Sequence, residues 1–163
     1  MNTVGRLLER IHEAELELSD DYQAMAERHE SDQDVHHLCH TFAKQCAAHA
    51  ERLRPMAERY GEHIDDEDEG PDPWGVVLDS MRHRASELIH RRPASGLVLL
   101  HDLRRLFLGA ENVSILWVMA GQTAQAKRDS ELLQLVTECH TETEIQVKAL
   151  VTHVKVSSPQ ILA

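Results

Sequence analysis

Apolar side chains recur at helical spacing over four long stretches of this chain, and breaker residues separate the stretches. In the first, about 3–29, Val4, Leu8, Ile11, Leu18, Tyr22 and Met25 fall within about 60° of one direction when each residue advances by about 100°. Glu15 shares that stripe, whereas Glu13 and Glu17 lie opposite it as ordinary solvated charges. Ser31-Asp32-Gln33-Asp34 reads as an N-cap with an acidic third position, and it opens a second helix that runs to about Tyr60, with Gly61 as stop signal. So short a connection predicts an antiparallel hairpin.

The second helix carries Val35, Leu38, Phe42, Leu53 and Met56 on one stripe, together with Cys39, Cys46 and His49. His36, His37 and His40 fall outside it. Residues 61–73 hold Asp65-Asp66-Glu67-Asp68-Glu69-Gly70 and then Pro71-Asp72-Pro73, which predicts an acidic loop. Asp72 as cap and Pro73 at the first helical position then start a short helix over about 73–91, stopped before Arg92-Pro93. A third long helix covers about 94–126. A fourth, capped by Asp129 or Ser130, reaches about Val156 before Ser157-Ser158-Pro159.

The third helix is apolar nearly all round, which predicts burial against more than two neighbours or in a subunit interface. Its stripe is Leu99, Leu103, Leu106, Ala110, Val113 and Trp117, and Glu111, on the flank, is the only charged residue between Arg105 and Lys127. The fourth helix turns Leu132, Val136, Cys139, Thr143, Gln146, Val147 and Leu150 inward, with His140 and Glu144 as an i,i+4 pair at the edge.

Composition narrows the function classes. At 163 residues, one domain over 1–163 buries a core without disulfides or a structural metal. Aromatics are only 4% of a chain that is 42% hydrophobic, so Leu, Ala and Val carry the core, as in helical proteins. A net charge of −11 argues against nucleic acid or an anionic membrane as partner. The three cysteines match no zinc or CxxC spacing, and no apolar run follows the first charges, so the expected setting is the reducing cytoplasm.

Folding the first hairpin about Glu30-Ser31 places residue i opposite roughly 61 minus i, so Glu15 sits level with Cys46 and one turn from His49. A carboxylate, a thiol and an imidazole then meet inside the hairpin, either as a hydrogen-bonded core pair or as part of a metal site. The His36-x-x-x-His40 pair has metal-ligand spacing but faces away from the core, without an evident third ligand.

His49-Ala50-Glu51-Arg52-Leu53 on the second helix, with Glu15 on the first and Tyr22 seven residues after it, resembles the ferritin-like superfamily, especially its rubrerythrin-type bundles. Their second helix carries Glu-x-x-His followed by Ala-Glu-Arg-Leu. The resemblance implies an all-α, ferritin-like antiparallel four-helix bundle: two helical hairpins, with an extra short helix in the long crossover. It also implies a metal site, for iron or another divalent metal, drawn from Glu15, His49, Glu111 and His140. The bridging carboxylates depart from the pattern: Cys46 stands three before His49, and Thr137 three before His140. A hemerythrin-type site, invited by the 12 histidines and by His36/His40, His83/Glu87 and His140/Glu144, ranks below, because most of these pairs lie off the apolar stripes.

Three functions compete. The first is a structural or interaction module without a complete di-iron centre, forming a homo-oligomer through the third helix. The second is a metal-dependent oxidoreductase or storage protein with a reduced ligand set. The third is a bundle holding a small apolar ligand near Trp117 and Tyr22, against which stands the simpler role of both rings as core filling.

Overall fold

Local signals in the sequence fix where each helix starts. Asn2, Asp32, Ser95 and Asp129 each turn a side-chain oxygen onto the backbone N–H three residues ahead, satisfying donors that a helix end leaves open. The computed structural model describes residues 2–64 and 95–163. It contains α1 (Thr3–Arg28), α2 (Gln33–Arg59), α3 (Gly96–Lys127) and α4 (Ser130–Leu162). Among the described residues the chain is all-α, with no strand. Most of the expected acidic loop and the short helix over about 73–91 lie outside them.

One boundary differs from the sequence reading. α4 continues through Ser157-Ser158-Pro159 to Leu162 instead of stopping at Val156. A proline removes one N–H, but this one falls in the last turn. The Ser158 hydroxyl donates to the Val154 carbonyl at 2.6 Å there. Ile161 also packs on the start of α3, so closely that a Cβ at Gly96 would lie 2.8 Å from its Cγ1.

The helices pack in pairs, α1 on α2 and α3 on α4, with α1 against α3 joining the pairs and α2 touching α4 more lightly. Cross-helix contacts give the directions. Ser19 Oγ donates to the Ala43 carbonyl at 2.9 Å, and Tyr22 meets Phe42 edge to face at 5.4 Å, so α1 and α2 are antiparallel. Arg28 and Arg105 reach Asp102 and Asp21, each at 2.7 Å, which sets α1 antiparallel to α3. Arg52 pairs with Glu138, and Arg59 with Glu131 and Asp129, which sets α2 antiparallel to α4. α2 and α3 are therefore diagonal and parallel, and α3 begins at the end of the structure where α2 begins.

One hydrophobic cluster runs through all four helices, from Leu8, Ile11 and Leu18 to Leu53, Leu103, Trp117, Leu132 and Leu150. Asp129 closes one end of it. Its Oδ1 caps α4 through the Leu132 N–H at 3.0 Å, while Oδ2 accepts from the Tyr60 hydroxyl at 2.5 Å and from Arg59. This carboxylate thus fastens the last turn of α2 to the first turn of α4.

Candidate functional site

Glu15 faces inward because it lies on the stripe of Leu8, Ile11 and Leu18, and its side chain is completely buried. Oε1 accepts two hydrogen bonds, from the Trp117 indole of α3 at 2.8 Å and from His49 Nδ1 of α2 at 2.9 Å. His49, itself buried, directs Nε2 to Glu142 Oε2 of α4, also at 2.9 Å. Trp117, Glu15, His49 and Glu142 thereby form one hydrogen-bonded chain with a member from each helix. It runs outward to the surface, since the Glu142 side chain is 45% exposed.

Both nitrogens of His49 face carboxyl oxygens, and with both acids ionised these only accept, so that both nitrogens donate and the ring is an imidazolium. Burial alone lowers the pKa of a histidine. The hydrogen bonds and charges of Glu15, then of Glu142, outweigh burial and hold His49 above its ordinary value. Charge-assisted bonds of this kind make a buried carboxylate tolerable.

A second polar group lies beside the first. The Tyr22 hydroxyl donates to Gln146 Oε1 at 3.1 Å, the Cys46 thiol points to the same oxygen at 3.6 Å, and Gln146 Nε2 donates to Gln45 Oε1 at 3.1 Å. Glu15 Oε2 is buried with no hydrogen bond of normal geometry. The Cys46 thiol is close enough to feel that carboxylate: burial first, and Glu15 second, push its pKa far up. Burial likewise pushes Cys39 and Cys139 up to about 12. Protonated thiols are poor nucleophiles and poor metal ligands at neutral pH.

Of the four expected ligands, the structure brings Glu15 and His49 together. Glu111 is exposed on α3, about 100° from Ala110, and does not turn to the centre. His140 is half-buried and shares a 3.0 Å hydrogen bond with Ser114 across the α3/α4 pair. A ferritin-type dimetal centre needs a Glu from each of two helices and a Glu-x-x-His from each of the others. The residues present do not fit it. Cys46 stands in one acid position, both nitrogens of His49 are engaged, and among the described residues no group of three His, Cys, Asp or Glu is arranged to hold a metal ion.

Two polar clusters escaped the sequence reading. Glu142 lies about 80° from the axis of the α4 stripe, where periodicity does not separate a core partner from a surface acid. Asp102, buried near the start of α3, takes Arg28 at 2.7 Å and His29 Nε2 at 2.8 Å. Burial raises the pKa of such an acid, but His29 and Arg28 together hold it below its ordinary value. The sequence signal is its position, about 60° from the axis of the Leu99, Leu103 and Leu106 stripe.

Tyr22 and Trp117 are fully buried, and their polar atoms bond to Gln146 and Glu15, so both rings fill core. A small notch lies elsewhere, walled by Met25, Leu106, Arg28 and Arg105, and both arginines are already paired with acids. His83 and Glu87 lie outside the described residues. Among the described residues, no helix is long and apolar enough to cross a membrane. No protein-family profile matches the chain, and no curated protein matches it.

Proposed function

We propose that this chain is a ferritin-like four-helix protein in which a hydrogen-bonded network takes the place of the metal centre. It works as an oligomeric structural or interaction module, two copies meeting through α3. The ferritin-like reading is supported by the helix directions: each helix is antiparallel to both neighbours, and α3 begins at the end where α2 begins. Two hairpins with one long crossover have that arrangement.

The observation that carries the interaction role is one face of α3. Leu97, Leu108, Ile115, Val118 and Met119 lie on it, between 39 and 64% exposed. An exposed apolar stripe of this length marks an interaction surface. A second copy fits it for a reason of charge. With a net charge of −11, most surfaces of two copies repel, while this face carries few charges. Arg104 and Glu111 sit on it seven residues apart, each without an ion pair among the described residues. Antiparallel pairing about a two-fold axis sets Arg104 of one copy against Glu111 of the other, twice over.

Sedimentation equilibrium tests this reading. The wild-type chain sediments as a dimer, Ile115→Glu is monomeric with unchanged helicity, and Arg104→Glu weakens the dimer until Glu111→Arg is added. A wild-type monomer at every concentration, or an Ile115→Glu dimer, overturns it. The alternative of an iron- or manganese-dependent oxidoreductase or storage protein is left with Glu15 and His49, because Glu111 and His140 lie apart from them.

A further inference from the structure

Among the described residues, and outside the central network, a group of three histidines lies on the first turns of α2. His36 and His40 are one turn apart, with ring centroids 4.6 Å from each other and planes 88° apart. His36 is held: its Nδ1 lies 2.8 Å from the carbonyl oxygen of Ala26 on α1. A carbonyl only accepts, so Nδ1 carries the proton and the lone pair is on Nε2. A backbone carbonyl on the far nitrogen is the supporting contact that orients metal-ligating histidines and fixes their tautomer. His40 is exposed and, on the same face, free to turn toward His36.

We propose that His36 and His40 form a two-imidazole site for one borderline divalent cation of the Cu2+ or Ni2+ type, its remaining positions held by water. The spacing lets both rings reach one ion, and the ligand type supports the class of ion. With metal–nitrogen bonds of about 2.0–2.1 Å, two imidazoles on one ion place their ring centroids roughly 4.6 Å apart at a cis angle near 90°, and roughly 5.2 Å apart at a tetrahedral angle. The 4.6 Å of the metal-free chain is within reach of either, since His40 can turn, and among first-row divalent ions nitrogen ligands bind Ni2+ and above all Cu2+ most tightly. The surrounding charge favours a cation: Asp32 and Asp34 lie within the preceding turn of a chain whose net charge is −11. His37 is adjacent in sequence but its ring is 5.6 Å from that of His36, and it supplies the control.

The test is titration of the full-length chain with Cu2+ at neutral pH, followed by calorimetry and by electron paramagnetic resonance. One tight equivalent is expected, with hyperfine structure from two imidazole nitrogens. His36→Ala and His40→Ala should each weaken it by at least the 10- to 100-fold or so that even supporting contacts contribute. His37→Ala should leave it unchanged. Ring nitrogen NMR of the metal-free protein should show neutral His36 protonated at Nδ1. The proposal is overturned if the His36→Ala/His40→Ala double variant binds Cu2+ as the wild type does, if His37→Ala weakens binding equally, or if His36 is protonated at Nε2.

Discussion

Trp117 reaches from α3 to the same oxygen of Glu15 that His49 holds from α2, so the indole N–H at 2.8 Å and the imidazole at 2.9 Å share one buried acceptor. The rings stand perpendicular, with centroids 6.2 Å apart. An aromatic donor thus ties together the two helical pairs that Glu15 lies between.

Removing that acceptor leaves two buried donors, one of them charged. Glu15→Ala is expected to lower stability by about 3–5 kcal/mol, the range for breaking a buried charge pair from one side. Trp117→Phe keeps most of the ring and should cost about 1–3 kcal/mol through the lost hydrogen bond to the charged carboxylate, whose Oε1 keeps only His49. Urea unfolding of both variants and of the double variant measures the coupling. Additive losses would mean that the indole and the carboxylate do not act as a unit.

His49 makes stability depend on pH. Its folded pKa is raised, so its contribution is complete below the unfolded value of about 6.5 and is lost as pH rises through the folded value. Between about pH 6 and 8, before unfolded thiols titrate, the wild type should lose melting temperature more steeply than His49→Gln. Equal slopes would show that His49 titrates alike in the folded and unfolded chains.

At the acid end the sign reverses. Burial would raise the pKa of Asp129, but the Tyr60 hydroxyl, the Leu132 amide and Arg59 bring it down to about 2. Its contribution is present above the unfolded value of about 3.9 and is lost as pH falls toward 2. After allowance for solvent screening this is about 1 kcal/mol, and Asp129→Asn should remove it at pH 7 together with part of the α4 cap. Acid unfolding curves of the two proteins should converge below about pH 3.

The cysteines should be silent in the native state. Cys39, Cys46 and Cys139 are buried, and burial raises each thiol pKa. A disulfide thiol reagent should label none at pH 8 and all three after denaturation. Rapid labelling of one cysteine in the folded chain would contradict the burial described here.

The sequence carried the inward faces well because helical period is strong over 26 or more residues. Val4, Leu8, Ile11, Glu15, Leu18, Tyr22 and Met25 are all buried, as the first stripe predicts. Hairpin geometry alone sets Glu15 level with Cys46 and one turn from His49, and the 2.9 Å contact bridges that turn. Partners from the second hairpin were beyond that reasoning, since the rotation of one pair against the other depends on packing. Glu142 lies about 80° and Glu111 about 120° from the axis of its stripe, both off the inward face, yet Glu142 meets His49 and Glu111 is exposed. The end of α4 departs from its local signal, as Ser157-Ser158-Pro159 stays helical where Ile161 packs on Gly96.

Nitrogen NMR of the His49 ring in the wild-type protein, recorded at neutral pH before and after addition of one equivalent of Fe2+ or Mn2+, reads the central network directly. Both ring nitrogens should be protonated, with resonances that do not move when the metal is added. An unprotonated nitrogen whose signal shifts or vanishes with the metal would mean that His49 is a ligand and that the network is not what fills the centre of this protein.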